Sequence, residues 1–224
     1  MELVTKILSS RFVKPLVGIE SLKRVSDVLL SLVLLLVLSP FFLISLIIIY
    51  FETGRNPIFT QFRAMNSHKP TFRIYKFRTL RDFRKNHLID EEVLSKNHLS
   101  QHVTKYGSWL RRSGLDELPQ LFNVLIGDMS LVGPRPFSLE DMELLRTKHN
   151  TVLIGRDRLK SKPGMTGYWQ VFGDRDRGYD DLLEHDTYYE LNKSIVLDVF
   201  ILLITFPIVL FAQHKDAILL KKKF

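Results

Sequence analysis

Apolar and polar positions divide this chain into stretches of different character. Val28–Phe51, VLLSLVLLLVLSPFFLISLIIIYF, carries no charged residue. At about 1.5 Å per helical residue it reaches the about 30 Å of a bilayer hydrocarbon core, which predicts a membrane helix. Ser39-Pro40 lies at its centre. Proline there removes a backbone donor and its ring meets the carbonyl of Leu36, so a kink or break is expected. Beyond Gly54 the pattern turns soluble. Ile58–Arg63 and Thr71–Phe77 are rich in β-branched and aromatic residues and flank the turn material Asn66–Pro70, which predicts a β-hairpin. Asp82–His102 is polar without periodicity and reads as a surface excursion. Thr104–Arg112 predicts a short helix with Tyr106, Trp109 and Leu110 inward, stopped by Ser113-Gly114. Leu118, Leu121, Phe122 and Leu125 then recur at helical spacing as the core face of a helix that Gly127 ends. Ser138 caps a helix to about Lys148, with Met142, Leu144 and Leu145 partly inward. MTGYWQVFG has the look of an aromatic strand, Asp174–Asp181 of a charged loop, and Asp186, Tyr188 and Tyr189 of a helix start. Ile195–Phe211, apolar except for Asp198 and Thr205, contains Pro207; it is marginal in length for a span and reads equally as a helix lying in the membrane plane or buried against the first hairpin.

Charge changes the picture of the ends. Lys and Arg number 32 against 24 Asp and Glu, a net +8, which suits an anionic partner such as nucleic acid, lipid head groups or phosphorylated substrates. The lead, residues 1–24, is basic and weakly amphipathic; it reads equally as a segment on an anionic membrane surface or as a tail. Basic residues flank the apolar run on both sides: Lys6, Arg11, Lys14, Lys23 and Arg24 before it, Arg55, Arg63, Lys69, Arg73, Lys76 and Arg78 after it. Positive flanks favour the cytoplasmic face, so a helix that bends at Ser39-Pro40 and returns satisfies both, whereas a straight span satisfies one. Lys215 and Lys221–Lys223 place the C-terminal end on the same face. Cysteine is absent, which excludes a disulfide framework and a thiolate metal site. His98 and His102 stand four apart in a polar stretch without a third ligand.

The stretch with candidate chemistry is Ser113–Pro136, SGLDELPQLFNVLIGDMSLVGPRP. It places Asp116 and Glu117 side by side at a helix start and closes in Pro134-Arg135-Pro136. Asp116 or Ser113 serves as an N-cap in the plainer reading, with the acids favourable to the helix dipole. Consecutive helical residues diverge by about 100°, however, so both acids cannot cap. Cations come from separate elements: Lys76 and Arg78 from YKFRT, and Arg156, Arg158, Lys160 and Lys162 before Pro163-Gly164. Phosphoryl transfer needs this inventory, with Arg forks and a divalent metal to neutralise oxygens and a carboxylate able to attack phosphorus covalently. No Walker loop or GxGxxG is present.

LRRSGLDELPQLFNVLIGDMSLVGPRP, FTQFRA, YKFRTL, KPGMTGYWQVFG and the D-x-Y-Y-x-x-x-x-S-x-x-x-D run Asp186–Asp198 resemble the bacterial sugar transferases, the monotopic phosphoglycosyl transferases that start glycan assembly on polyprenyl phosphate. The resemblance covers roughly residues 22–210. It implies transfer of a sugar 1-phosphate from a UDP-sugar to undecaprenyl phosphate with release of UMP. It implies Asp116 as the nucleophile of a phosphosugar-aspartyl intermediate and Glu117 as the Mg²⁺ ligand. Lys76, Arg111, Arg135 and Asp186 match positions associated with substrate binding: Arg135 with the nucleotide end, Lys76 and Arg111 with the phosphates or with holding the acids. Ser39-Pro40 matches the break of the family's re-entrant helix. Members often read QVNGR where this chain has Gln170-Val171-Phe172-Gly173-Asp174; Arg175 or Arg177 are the candidates to replace the missing Arg.

The expected architecture is therefore α+β: a small membrane-anchored catalytic domain with a re-entrant N-terminal helix hairpin, a short β-hairpin and amphipathic or interfacial helices. Residues 1–52 form the lead and membrane helix, and 53–224 the catalytic domain with its interfacial C-terminal helix. The expected partners are a UDP-sugar, undecaprenyl phosphate, membrane lipid and, as an allowed assembly, a homodimer, with no nucleic acid. The expected place is the cytoplasmic face of the bacterial inner membrane. The competing reading is a non-catalytic membrane-surface scaffold that binds anionic lipid or an assembly partner.

Overall fold

The computed structural model describes residues 17–81 and 102–210. The basic lead before Val17, most of the polar excursion, including His98, and the terminal lysines lie outside them. The described chain is α+β and mostly helical, with two small sheets. It forms two compact units. One comprises residues 17–32, 61–74 and 121–205, the other 33–60, 75–81, 102–120 and 206–210.

The apolar run becomes two helices, α1 (Val17–Val37) and α2 (Ser39–Thr53). Between them Leu38 has φ −88° and ψ 2°, and the Ser39 hydroxyl donates to the Leu36 carbonyl at 2.8 Å. That carbonyl is the acceptor stranded by Pro40, whose ring nitrogen carries no hydrogen, so the serine compensates for the break the proline causes. The segments Glu20–Val37 and Ser39–Thr53 meet at 63°. No single helix among the described residues is long and apolar enough to cross a membrane, while this bent pair passes that test together. Leu36, Val37, Leu43 and Phe51 are exposed, an apolar surface larger than a water-facing helix carries.

The second unit builds its core on the break. Phe42 and Ile49 of α2 pack with Phe77 and Leu110, and Leu38, Phe41, Tyr106, Leu115 and Leu118 lie against them. Ser45 and the Tyr106 hydroxyl share a hydrogen bond of 2.7 Å. The expected hairpin is present as β1 (Ile58–Ala64) and β2 (Phe72–Phe77). Helix α3 (Lys105–Ser113) is capped by Thr104, whose side chain accepts from the Gly107 amide, and ends at Gly114 with φ 74°. Leu110 is buried as expected, but Trp109 is exposed; Gly107 takes the inward place because α3 approaches the backbone at Thr79 too closely for a side chain.

Helix α4 (Gln120–Ile126), all but its first residue in the first unit, begins after Pro119. Its inward face is Gln120, Leu121, Asn123 and Val124, while Phe122 is exposed. The later start rotates the expected face, and Asn123 is inward because its amide donates to the Arg73 carbonyl at 2.5 Å. β3 (Ser130–Val132) pairs in parallel with β5 (Gly164–Thr166), Ser130 opposite Gly164. β4 (Phe137–Ser138) joins the hairpin in the order β2-β1-β4, with Arg63 opposite Ser138. Ser138 caps α5 (Leu139–Lys148) through a full capping box with Asp141. Helix α6 (Asn150–Arg156) follows, and Met142, Leu145, Val152, Leu153, Trp169 and Leu182 are the main members of this unit's core.

Three local expectations change. The aromatic run is strand only to Thr166; α7 (Tyr168–Phe172) is helical and turns Trp169 inward. The charged loop after it is a 3₁₀ turn, Arg175–Arg177, leading into α8 (Gly178–Asn192). Asp181 on α8 organises this segment by accepting from the Trp169 indole at 3.1 Å and the Asp174 amide at 2.8 Å. Asp186 accordingly sits in mid-helix, not at a helix start. Helix α9 (Ile195–Leu210) buries Ile201 and Asp198 and exposes Val196, Val199 and Leu203. Its acid is accounted for: Lys23 lies 2.6 Å from Asp198, and the Tyr189 hydroxyl donates to Asp198 at 2.8 Å.

Candidate active site

Pro119 explains the local fold of the acids. With no amide hydrogen it cannot close a four-residue helical bond, so the chain from Gly114 winds as a 3₁₀ turn, Leu115–Glu117. The Glu117 amide donates to the Gly114 carbonyl at 3.2 Å, and the Leu118 amide to the Leu115 carbonyl at 3.2 Å. The acids thus precede α4 instead of opening it. The turn has no side-chain cap of its own; the Ser113 hydroxyl donates back to the Trp109 and Leu110 carbonyls at 3.0 Å each and accepts from the Leu115 amide at 3.4 Å.

Leu115 and Leu118, on either side of the acids, are anchored in the core that holds the helix break. Asp116 and Glu117 are thereby kept at the edge of that core, partly buried. From β2, Lys76 reaches Glu117 Oε1 at 2.6 Å, with both side chains less than a fifth exposed. Arg78, from the same YKFRT motif, turns elsewhere: its Nε donates to the Asn56 carbonyl at 2.7 Å, and it lies over the Phe59 ring.

Arg111 approaches from α3. Its Nε donates to the Thr79 hydroxyl at 2.7 Å, while its Nη1 is buried without a hydrogen-bond partner. Burial depresses the Arg111 pKa and the carboxylate of Asp116 opposes that shift, so the guanidinium and the acid stand within electrostatic reach. A buried guanidinium nitrogen without an acceptor is costly in a finished core. Burial pushes Asp116 up to about 6, with Lys76 opposing, Glu117 adding to the rise and Arg111 opposing. A carboxyl group so tuned titrates close to neutral pH, as catalytic groups often do. Among the described residues, no group of three or more His, Cys, Asp or Glu side chains gathers to hold a metal by protein donors alone.

Asp116, Glu117, Lys76 and Arg111 are therefore brought together within one compact unit. Arg135 and Asp186 belong to the other. There Arg135 is partly exposed between two buried prolines, its guanidinium 5.9 Å from the centre of the Trp169 ring. Asp186 is fully buried and bonded to Arg156 Nη1. The basic cluster around Arg156 does not share one face: Arg156 has no exposure, whereas Arg158, Lys160 and Lys162 are exposed. Of the two candidates to replace the missing Arg after the QVxG segment, Arg177 pairs with Asp181 at 3.0 Å and Glu184 at 3.3 Å. Thr79 and Arg156 escaped the sequence reading. Thr79 was quoted only as part of YKFRTL, and Arg156 was hidden among cations that look alike.

Comparison with known proteins identifies the family. The family model for bacterial sugar transferases matches residues 19–212. The exopolysaccharide production protein ExoY of Sinorhizobium fredii is 36% identical over 208 residues, 88% of either chain. The undecaprenyl-phosphate galactose phosphotransferase of Salmonella typhimurium is 33% identical over 204 residues, which cover 84% of this chain and 40% of that longer protein. The UDP-glucose:undecaprenyl-phosphate glucose-1-phosphate transferase of Klebsiella pneumoniae is 36% identical over 203 residues, 87% of this chain and 41% of that one. With a match spanning nearly the whole described chain and the paired acids held beside Lys76 and Arg111, the protein belongs to the bacterial sugar transferase family.

Proposed function

We propose that this transferase moves a sugar 1-phosphate from a UDP-sugar to undecaprenyl phosphate at the cytoplasmic face of the bacterial inner membrane, the first membrane step of a glycan's assembly. The observation that carries the reading is the acid turn: a partly buried carboxyl group tuned to about 6, next to a Lys76–Glu117 pair and an Arg111 with an unsatisfied nitrogen. A capping or purely structural turn needs none of these. The activities for which the Salmonella and Klebsiella relatives are named supply the substrate class.

In the first step an Asp116 carboxylate oxygen attacks the sugar-bearing phosphorus of the nucleotide sugar. The bond from that phosphorus to the bridging oxygen breaks, UMP leaves, and a phosphosugar-aspartyl ester forms. In the second step an oxygen of undecaprenyl phosphate attacks the same phosphorus, the acyl phosphate bond breaks, and the Asp116 carboxylate is restored. Arg111, partly buried within electrostatic reach of Asp116, supplies positive charge toward the phosphate oxygens. Lys76 lowers the pKa of Asp116 and so favours the ionised nucleophile. Arg135 is the candidate contact to the nucleotide end, by its place in the Pro134-Arg135-Pro136 motif.

The acids also fit Mg²⁺, a hard ion usually held by one or two carboxylates together with substrate phosphates, so that no larger protein cage is required. Glu117 would hold it, and the ion when bound would neutralise charge on the diphosphate. The bent pair α1–α2 serves as a re-entrant anchor: both basic flanks then stay on the face where nucleotide sugars are made.

Incubation of the purified protein with a panel of UDP-sugars, undecaprenyl phosphate and Mg²⁺ is expected to release UMP. Asp116→Asn is expected to lower that release by about a thousandfold or more while the protein remains folded, and wild-type protein quenched after the first step is expected to carry the added mass of a phosphosugar. Full activity in Asp116→Asn would rule out the covalent route.

A further inference from the structure

We propose that Arg156 is the positioning residue of the Pro134-Arg135-Pro136 loop and that Asp186 acts on substrate binding only through it. This inference rests on the reading of Arg135 as a contact to the nucleotide.

Arg156 closes α6 and has no solvent exposure. A guanidinium carries five N–H donors and loses heavily in a dry core unless they are engaged. Here Nη1 donates to Asp186 Oδ2. Nη2 donates to the Arg135 carbonyl at 2.6 Å and to the Met65 carbonyl at 3.3 Å. Nε reaches the same Met65 carbonyl at 3.4 Å, and the guanidinium lies 4.1 Å from the centre of the Phe137 ring. A buried ion pair is weak evidence of a stabilising role, since apolar residues of similar volume often do as well. What an apolar pair cannot do is grip the Arg135 carbonyl.

That grip fixes the loop where it matters. The Gly164 amide holds the Pro134 carbonyl at 2.9 Å, so Arg156 secures the second of two consecutive carbonyls. Pro134 and Pro136 have a fixed φ, and a proline also restricts the residue before it. With its carbonyl tied down, Arg135 has little backbone freedom left, and its partly exposed side chain is directed across Trp169. Trp169 is itself pinned by Asp181 at 3.1 Å. Asp186 has no exposure, so it meets no ligand directly; it holds Arg156, and its remaining oxygen is buried without a hydrogen-bond partner.

The test compares Arg156→Lys, Asp186→Asn and Arg135→Ala, with steady-state UMP release and the thermal midpoint as readouts. Arg156→Lys keeps a cation opposite Asp186 and loses the forked donation to the Arg135 carbonyl. It is expected to raise KM for the nucleotide sugar by about tenfold, to change kcat far less, and to add little once Arg135 is Ala, because both act through one side chain. Asp186→Asn keeps an acceptor for the guanidinium and is expected to give a smaller rise; it carries the same test should Arg156→Lys fail to fold. Unchanged KM beside a lowered midpoint overturns the positioning role, and so does full additivity with Arg135→Ala. If Arg135→Ala itself leaves KM unchanged, the nucleotide reading fails and this inference falls with it. If Arg135→Ala raises KM while Arg156→Lys and Asp186→Asn do not, only the inference falls.

Discussion

Lys76 Nζ stands 2.6 Å from Glu117 Oε1, joining a β-strand to a 3₁₀ turn across 41 positions of sequence. The pair places a cation beside Asp116 and commits one oxygen of the second acid. Both consequences can be measured.

Lys76→Met removes the positive charge that lowers the Asp116 pKa. The acid limb of the activity profile is therefore expected to move to higher pH, and activity at pH 7 to fall by about tenfold or more. Lys76→Arg, which restores the charge, is expected to return most of the limb to its original place. A pH profile of kcat/KM for the three proteins checks this, and an unmoved limb in Lys76→Met would contradict the coupling.

Activity and stability are expected to run in opposite directions with pH. Burial raises Asp116 to about 6 against an ordinary 3.8, so between those values the folded protein holds a proton that the unfolded chain has released. This group's stabilising contribution is complete below about 3.8 and is lost as pH rises through about 6. Burial raises Asp186 to about 6 as well, against the pull of Arg156, and adds a slope of the same sign. The nucleophile must be ionised, so turnover is expected to rise over the same interval. Thermal midpoints measured from pH 4 to 7 are expected to fall more steeply in wild type than in Asp116→Asn, which keeps only the Asp186 share.

Gly107 is a position where α3 meets another backbone. A Cβ there would come 2.5 Å from the Thr79 carbonyl oxygen, closer than any real contact. Gly107→Ala is expected to cost about 1–3 kcal/mol. It is also expected to reduce activity beyond the loss of folded protein, because Thr79 is the anchor of Arg111 Nε. Denaturant unfolding and specific activity per folded molecule separate the two effects.

The chain has no cysteine, so single cysteines report topology cleanly. Introduced at Glu20, before the apolar run, and at Arg55, after it, they are expected to react with a membrane-impermeant maleimide in inverted vesicles and not in intact cells. Reaction of either one from outside would refute the re-entrant arrangement.

Local physics made much of this protein legible in one dimension. The charge-free run and its central Ser39-Pro40 predicted a broken apolar helix, because a proline's missing hydrogen acts within one turn. The hairpin, the Thr104–Gly114 helix and the Ser138 cap were equally local, and the motif around Asp116 and Glu117 was long enough to reveal the family. Where the sequence misled, a partner distant in sequence had decided the outcome. Trp109 stays partly outside, against Tyr106 and Phe41, because Gly107 must approach Thr79. Phe122 is outside because Asn123 is drawn in by the Arg73 carbonyl. Asp186 lies in mid-helix because α8 begins at Gly178, within the stretch that reads as a charged loop. Which of several similar cations would be buried, and that Arg156 would end on the carbonyl of Arg135, depended on close packing between segments far apart in the chain. Periodicity carries no information about such contacts, and only the tertiary structure fixes them.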